Sequence, residues 1–236
     1  MRKLKGLYRF LKAVSYIFWY SSQGIIYGIF GDGNAYFRKR LAPSAEYLLK
    51  ITGVTFSLEG TEHLNPDENY LFLGNHRSYT DIVALFVAAG RVNRQISFMS
   101  KKEIFYMPLL GKPMKAMGMI GVERGKSSKA MRSLLEAVKL LKNGVNLVIF
   151  PEGTRSRDGH TLSPFKKGSF TIASRAKVNI APFVIEGTEI YMPKGEFAMY
   201  PADVKIRFLP TIKTEGKKET ELMEETEKAI KEALCQ

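Results

Sequence analysis

Apolar and polar positions alternate in blocks that predict a succession of strands and helices after residue 50. Short apolar runs of strand length recur through this part of the chain, and stretches with helical spacing separate them. The predicted strands are 54–59, 70–74, 96–100, 118–122, 146–150, 180–186 and 204–209. The predicted helices are 82–90, 103–117, 127–142, 167–176 and 218–234. This alternation predicts an α/β fold, with a mostly parallel sheet of about seven strands flanked by helices.

The first fifty residues differ, because a helical pattern there continues into a long uncharged and aromatic stretch. At about 100° per residue, one face of residues 2–18 is apolar and the opposite face is basic. The apolar face holds Leu4, Leu7, Leu11, Val14 and Phe18, and the basic face holds Arg2, Lys5, Arg9 and Lys12. Serines and glycines interrupt the uncharged stretch, whereas a bilayer span needs roughly 20 apolar residues. The pattern therefore predicts a helix that lies in a membrane interface rather than one that spans it.

Asp32-Gly33-Asn34 is expected to end this first helix, and residues 35–50 are expected to form a second one. The sequence thus predicts two parts, the membrane-interfacial helices of residues 1–50 and an α/β domain of residues 51–236. A cleaved signal peptide and an ordinary core helix are the other interpretations of the first part. The signal peptide is disfavoured, because Ser21-Ser22-Gln23 is a poor cleavage site after the apolar run.

The net charge of +13 predicts an acidic partner, either a nucleic acid or an anionic membrane surface. Residues 1–50 contain nine lysines and arginines but two acids, so more than half of the excess charge lies in the first fifth of the chain, which also holds the apolar face. A nucleic-acid binder is expected instead to interleave basic residues with exposed aromatic ones in a recognisable module. We therefore expect a membrane surface as the partner and no nucleic acid. The single cysteine, Cys235, excludes a disulfide framework and a cysteine-rich zinc site.

Polar clusters follow four of the predicted strands. They are Asn75-His76, Lys101-Lys102, Glu123-Arg124 and Glu152-Gly153-Thr154-Arg155. Open α/β sheets bind ligands outside the carboxyl ends of their strands. If these strands are parallel neighbours, a base, several cations and a glycine turn meet at one edge of the sheet. The plainer explanation is that chains generally become polar where strands end.

His76 and Asp81 are the candidate general base and the carboxylate that orients it. On a continuous helix a spacing of five would turn the two side chains apart, so His76 must lie in the loop and Asp81 in the first helical turn. Asp81 can then hold one imidazole nitrogen and leave the other to accept a proton. The spacing supports a helix cap at least equally well, with Ser78 as the N-cap and Ser78-x-x-Asp81 as a capping box.

The proton that His76 removes is expected to come from a substrate hydroxyl, because the chain offers no evident nucleophile. The G-x-S-x-G motif is absent, and His63 and His160 are too isolated to suggest a zinc site with His76. The run from Glu152 to Arg155 is suited to gripping an anion, with a glycine for close backbone approach and a guanidinium fork. It is not a P-loop, since G-x-x-x-x-G-K-[ST] is absent. The alternative is a β-turn with a surface Arg–Glu pair.

Four motifs in this order resemble those of the glycerolipid acyltransferases, and most closely those of the bacterial enzymes that acylate lysophosphatidic acid. They are His76-x4-Asp81, Gly118-x3-Val122-Glu123-Arg124, Phe150-Pro151-Glu152-Gly153-Thr154-Arg155-Ser156 and Val178-Asn179-Ile180-Ala181-Pro182. Smaller matches are Lys101-Lys102-Glu103 with Pro108 and Gly111, and Phe165-Lys166-Lys167-Gly168. The first and third motifs together are highly specific, and the resemblance covers about residues 55–190. Glu123 is a small departure, since the family often has Asp before the arginine.

The resemblance implies transfer of a fatty acyl group from a thioester, either acyl-CoA or acyl carrier protein, to the 2-hydroxyl of lysophosphatidic acid, which gives phosphatidic acid. It implies His76 as the general base and Asp81 as its orienting partner, with no metal ion and no cofactor beyond the thioester co-substrate. The residues implied at the acceptor phosphate are Lys101, Arg124, Glu152, Gly153, Thr154 and Arg155. It also implies a peripheral location on the cytoplasmic face of the bacterial inner membrane.

Other functions stay open at this point. The motifs are shared with enzymes that acylate glycerol 3-phosphate or other lysophospholipids, so the acceptor is an expectation. A relative that binds membranes without catalysis is a further interpretation, and the intact His76 and Asp81 pair argues against it.

Overall fold

Seven strands form one sheet between two layers of helices in the computed structural model, which describes residues 1–107, 111–116, 118–122, 127–156 and 161–235. The strands are β1 (Val54–Glu59), β2 (Leu71–Gly74), β3 (Ile96–Lys101), β4 (Ile120–Val122), β5 (Asn146–Ile149), β6 (Ile180–Glu186) and β7 (Ala202–Phe208). Their order across the sheet is β1-β7-β6-β2-β5-β3-β4. The strands from β6 to β4 in that order are parallel, whereas β7 is antiparallel to β6 and parallel to β1. The expected mostly parallel α/β sheet is confirmed.

The helices follow the predicted pattern with short additions. They are α1 (Arg2–Phe30), α2 (Gly33–Thr52), α3 (Asp81–Arg91), α4 (Gly111–Ala116), α5 (Ser127–Lys142), α6 (Gly168–Ala176), α7 (Thr188–Tyr191) and α8 (Glu219–Leu234). Short 3-10 turns occupy Thr61–His63 and Lys102–Tyr106. The single helix expected at 103–117 is instead the second of these turns followed by α4, and residues 108–110 and 117 of that prediction lie outside the described residues. The pattern did not indicate α7, because one turn of helix is too short to show a period.

The sheet is covered on both faces, and residues 70–73 show how. Tyr70 and Phe72 lie in a core that the sheet shares with α1, α2 and α3, whereas Leu71 and Leu73 lie in a second core with α5, α6 and α8. Every residue of β2 is buried, as is expected for a parallel strand with helices on both sides. The chain can therefore present polar groups to solvent only beyond the end of this strand.

Helices α1 and α2 form a hairpin at the amino terminus. Asp32 is the N-cap of α2, and its carboxylate accepts hydrogen bonds from the amides of Asn34 and Ala35. The expected break between the two helices is therefore confirmed. The helices approach closely at Gly24, where a side chain would collide with the ring of Phe37. Both helices contribute residues to the first core, and the division of the chain at residue 50 stays a prediction.

The apolar face that the sequence indicated on α1 points away from the protein. Its residues are between 41% and 72% exposed, namely Leu4, Leu7, Leu11, Val14 and Phe18. The buried residues of this helix are Gly6, Ala13, Tyr20, Ser21 and Gly24. The protein packs against a different face of α1, which also includes the partly buried Phe10, Tyr16 and Ile17, and it leaves this row of large apolar side chains exposed, which does not fit an ordinary core helix. Within the described ranges, no helix is both long and apolar enough to cross a membrane.

Candidate active site

Polar clusters follow several strands, and the carboxyl ends of these strands lie at one edge of the sheet. β2, β5, β3 and β4 are consecutive neighbours and parallel, so their carboxyl ends meet on the same side. Leu73 pairs with Ile149, which places the residues after β2 beside those after β5. The expected convergence is confirmed for the clusters that follow β2, β3 and β5. The cluster after β4, Glu123-Arg124, lies outside the described residues.

His76 is the second residue after β2, and hydrogen bonds hold the end of this strand in place. The side-chain amide of Asn75 donates to the Ile185 carbonyl and accepts from the Ile185 amide, each at 2.8 Å, which fastens β2 to β6. The imidazole of His76 stacks on the ring of Phe150, with centroids 4.0 Å apart and planes 9° apart. Phe150 follows β5, so the ends of two adjacent strands set the orientation of the imidazole.

His76 and Asp81 are in direct contact. Nδ1 of His76 lies 2.7 Å from Oδ2 of Asp81, whose side chain is fully buried. The same oxygen accepts the backbone amides of Arg77 at 2.8 Å and Ser78 at 3.1 Å, which stabilise the carboxylate charge. Because the carboxylate accepts the proton on Nδ1, the neutral ring presents Nε2 as a proton acceptor. No described residue forms a hydrogen bond to Nε2, and the His76 side chain is 16% exposed.

Asp81 also takes part in capping the start of α3, and this role is compatible with its contact to His76. Asp81 accepts the Ser78 amide, as the carboxylate of a capping box does. The N-cap of α3 is Thr80, however, and the Ser78 hydroxyl donates to the Met192 carbonyl at 2.9 Å. The prediction of Ser78 as the N-cap is therefore wrong, because α3 begins only at Asp81 and the Ser78 oxygen accepts from the amide and hydroxyl of Thr80 rather than from an amide of the helix. A single oxygen of Asp81 serves both the start of α3 and the imidazole.

Glu152 is buried and is directed into the protein. One of its carboxylate oxygens accepts the backbone amide of His76 and the other accepts that of Ser163, both at 2.8 Å. The carbonyl of His76 in turn accepts the amide of Ser156 at 2.8 Å. Both backbone groups of His76 are therefore tied to the turn at 152–156. Glu152 shapes the site by joining three loops, and the contacts of both its oxygens are to backbone amides.

The turn after β5 presents a cation beside the loop that carries His76. Gly153 has a φ of 68°, in the left-handed region that favours glycine. Thr154 is exposed at the tip. The guanidinium carbon of Arg155 lies 3.6 Å from the centroid of the Tyr79 ring. This stacking covers one face of the guanidinium and leaves the N–H groups in its plane available to an anion.

Lys101 ends β3 at the same edge of the sheet, farther from the imidazole. In the strand register its backbone is level with the residue after β2, at a distance of two strand spacings, which is about 10 Å. Its side chain is exposed, and no contact with His76 or Asp81 occurs among the described residues. The structure therefore places Lys101 on the rim of the crevice.

Two features of the site were missed by the analysis of the sequence. The buried guanidinium of Arg77 forms an ion pair of 3.1 Å with Glu189 of α7. Glu189 lies shortly after β6, which is parallel to β2, so its signal in the sequence was a further polar residue behind a strand end. The second feature is Lys166, whose side chain crosses Gly153. Its signal in the sequence was the short match Phe165-Lys166-Lys167-Gly168.

An apolar cavity of about 260 Å³ lies between the α1–α2 hairpin and the sheet, on the side of the first core. Ile82 and Val83, which directly follow Asp81, form part of its wall, as does Ser100 next to Lys101. Most of the remaining lining is apolar, with side chains from α1, α2 and α3 and from the segments around β3 and α4. Such a lining is suited to a hydrocarbon chain rather than to a polar ligand.

The family model named Acyltransferase matches residues 55–186 of the 236 residues in the chain. The match covers more than half of the chain and includes His76, Asp81 and the turn at 152–156. The chain belongs to the Acyltransferase family. The resemblance that the motifs indicated is therefore confirmed at the level of the family.

Relatives within this family carry a more specific name. A 1-acyl-sn-glycerol-3-phosphate acyltransferase from Limnanthes douglasii is 33% identical over 168 residues, which are 70% of this chain and 57% of that protein. The 1-acyl-sn-glycerol-3-phosphate acyltransferase alpha of Homo sapiens is 30% identical over 168 residues, 70% of this chain and 58% of that protein. This acyltransferase-family chain thus spans little more than half the length of these relatives.

A solved structure is similar over almost the whole chain. It is the crystal structure of the 1-acyl-sn-glycerophosphate (LPA) acyltransferase PlsC from Thermotoga maritima. The similarity covers 99% of this chain and 96% of that one, with a TM-score of 0.86 and 26% sequence identity. The amino-terminal hairpin is therefore included in the similarity, together with the sheet and its helices.

Proposed function

We propose that this protein transfers a fatty acyl group from an acyl thioester to the 2-hydroxyl of lysophosphatidic acid, which gives phosphatidic acid. The observation that carries the proposal is the 2.7 Å contact between His76 and Asp81, beside a turn that presents Arg155. The names of the relatives support the same activity. Acyl-CoA or an acyl carrier protein thioester is the donor, and the reaction needs no further cofactor.

In the proposed reaction, Nε2 of His76 accepts the proton of the acceptor hydroxyl while the hydroxyl oxygen attacks the thioester carbonyl. The tetrahedral intermediate then collapses, the carbon–sulfur bond breaks and the thiolate leaves. The imidazolium returns its proton to the sulfur, so the products are an ester and a free thiol. Asp81 keeps the proton on Nδ1 and stabilises the imidazolium. Glu152 acts through the backbone, because it holds the amide of His76 in place.

The phosphate of the acceptor is proposed to bind at the turn after β5. Arg155 offers a planar group of N–H donors that matches the geometry of a phosphate, and Lys101 adds a cation from the rim. Arg124 is expected to join them on the strength of its sequence motif. Gly153 and Thr154 shape the turn that carries Arg155.

The apolar cavity is proposed to hold the fatty acyl chain. Its lining includes Ile17, Leu48, Phe86 and Met114, with Ile82 at the end beside Asp81. A chain lodged there leaves its thioester carbonyl close to His76. Each methylene removed from water contributes about 0.8 kcal/mol, so the length of the cavity is expected to set the preferred length of the chain.

We also propose that α1 holds the protein peripherally on an anionic membrane surface, at the cytoplasmic face of a bacterial inner membrane. The support is the uncovered apolar face of this helix together with the excess of basic residues in the first fifty positions. The lipid substrate and product both reside in a bilayer. Attachment through α1 keeps the imidazole close to them.

An acyl-transfer assay tests the proposed activity. The purified protein is supplied with lysophosphatidic acid and acyl-CoA of several chain lengths, and the product is identified by mass spectrometry. His76→Ala is expected to abolish turnover while vesicle binding is unchanged, because only the base is lost. His63→Ala is the matched control, since this histidine lies on the Thr61–His63 turn, and it is expected to retain turnover. Retained turnover in His76→Ala would contradict the assigned base.

Competition between acceptors tests the substrate. Glycerol 3-phosphate and other lysophospholipids are offered together with lysophosphatidic acid, and the acylated products are measured. We expect phosphatidic acid to dominate. A preference for glycerol 3-phosphate would show that the proposed acceptor is wrong, and it would leave the assignment of His76 as the base unchanged. Release of no thiol from any thioester by the wild type would instead favour a membrane-binding relative without catalysis.

A further inference from the structure

A lysine outside the main motifs lies against the turn after β5. The backbone amide of Lys166 donates to the carbonyl of Pro151 at 2.9 Å, which brings this segment alongside the turn. The side chain of Lys166 then crosses Gly153. A Cβ atom added at Gly153 would lie 2.5 Å from the Nζ atom and 3.0 Å from the Cε atom of Lys166. The ammonium group therefore occupies the space that a larger residue at position 153 would fill.

This ammonium group is available to a ligand. Lys166 is exposed, and its Nζ atom has no ion pair or hydrogen bond within the part of the chain that the structure describes. The carboxylate of Glu152, the residue before Gly153, is bound to the amides of His76 and Ser163. An ammonium without a counter-ion beside a glycine turn is suited to a phosphate oxygen, to which its N–H groups donate charge-assisted hydrogen bonds.

The charge of the acceptor requires more than one cation. A phosphate monoester carries about −1.5 to −2 charges at pH 7. Arg155 supplies one positive charge, and its stacking on Tyr79 fixes it at one end of the turn. Lys166 supplies a second charge at the Gly153 end, and only Thr154 separates the two ends. We propose that Lys166 and Arg155 together hold the phosphate of the acceptor, an inference that rests on the function proposed above.

The attachment of the turn after β5 to the loop of the base fits this role. In lysophosphatidic acid the phosphate lies a few bonds from the reacting hydroxyl, so the cations that bind it must lie on or beside the loops that contact His76. Both backbone groups of His76 form hydrogen bonds to residues of the turn at 152–156. Lys101, by contrast, begins two strands away, and it approaches the phosphate from the rim.

Kinetics with and without the phosphate test the proposal. Lys166→Met is expected to raise the KM for lysophosphatidic acid by about 10- to 100-fold, because a charged hydrogen bond is lost. The kcat is expected to change little, since the contact is made equally in the ground state and the transition state. With 1-acylglycerol, which lacks the phosphate, the same variant is expected to lose far less of its kcat/KM. Lys166→Arg is expected to restore most of the affinity.

Lys167→Met is the matched control. It removes the neighbouring exposed lysine, at the start of α6, and is expected to leave the KM for lysophosphatidic acid unchanged. Thermal unfolding of each variant checks that its fold is intact. Equal losses of kcat/KM with both acceptors, or an unchanged KM for lysophosphatidic acid, overturn the proposal.

Calorimetric titration with short-chain lysophosphatidic acid gives an answer that does not depend on turnover. Weaker binding to Lys166→Met than to the wild type supports the phosphate site, and equal binding overturns it. If the wild type binds this lipid through Lys166 but transfers no acyl group, the proposed function fails while the phosphate site stands.

Discussion

Helices α1 and α8 have the same kind of sequence pattern and opposite surroundings. Each helix has apolar residues along one side and charged residues along the other. In α8 the apolar side chains of Leu222 and Ile230 are fully buried in the second core. In α1 the row from Leu4 to Phe18 faces outward, and the helix packs on the protein through another of its faces.

An apolar face predicts burial without identifying what covers the face. The sheet covers α8, whereas no described residue covers the row on α1. Apolar surface left in water costs roughly 25 cal/mol for each Å², and large exposed apolar patches are typical of surfaces that bind a partner or a membrane. The basic residues of the same helix favour an anionic membrane.

Asp81→Asn is expected to have the largest effect, a fall in kcat of about 10,000-fold, because an amide cannot hold the required proton on Nδ1 of His76. Neither α1 nor α8 contacts this carboxylate through a hydrogen bond, so vesicle binding is expected to match the wild type. Steady-state kinetics and vesicle flotation measure the two properties. Weakened vesicle binding would couple the imidazole pair to α1 and break the comparison.

Leu222→Ala is expected to lower the free energy of unfolding by about 2 to 5 kcal/mol, because it leaves a cavity in the second core. Leu11→Ala, the same substitution on α1, is expected to change it by no more than about 0.5 kcal/mol. Urea denaturation in the absence of lipid measures both values. Similar losses in the two variants would mean that protein, rather than lipid, covers the apolar row of α1.

The combined change Leu11→Ser and Phe18→Ser is expected to weaken partitioning onto vesicles by about 100-fold, because two large apolar side chains no longer enter the lipid. Leu135→Ser is the matched control, since Leu135 is a leucine of α5 with 52% exposure. Sedimentation with vesicles measures the partitioning. Equal weakening by the control would show that α1 has no special part in attachment.

Lys3→Gln is expected to have the smallest effect, a loss of about 1 kcal/mol in binding to anionic vesicles. Lys3 is exposed and flanks the apolar row, which suits it to a lipid headgroup. The loss is expected to vanish on neutral vesicles and to shrink at high salt, because salt screens the attraction. The same loss on neutral lipid would argue that the charge of Lys3 does not contribute.

The fold was largely predictable because each element carries a local pattern. α5 was predicted at 127–142 and is found at Ser127–Lys142, and all of the predicted strands are present with shifts of at most two residues at either end. The contact between His76 and Asp81 was one of two interpretations that their spacing allowed, and the resemblance of the motifs favoured it over a simple helix cap. The direction of Glu152 was not inferable. Its partners are the backbone amides of His76 and Ser163. Because every residue except proline has such an amide, the identity of the residues does not reveal these partners.

Four properties follow from the sequence alone, namely the α/β class, the strand ends that carry polar groups, the amphipathic character of α1 and the candidate pair His76 and Asp81. These properties depend on residues close together in the chain, so periodicity and spacing are sufficient to predict them. The tertiary structure decided which face of α1 the protein covers, that a distant carbonyl takes the hydroxyl of Ser78, and that Lys166 lies on Gly153. Each of these depends on the packing of segments far apart in the chain, and only the assembled sheet brings those segments together.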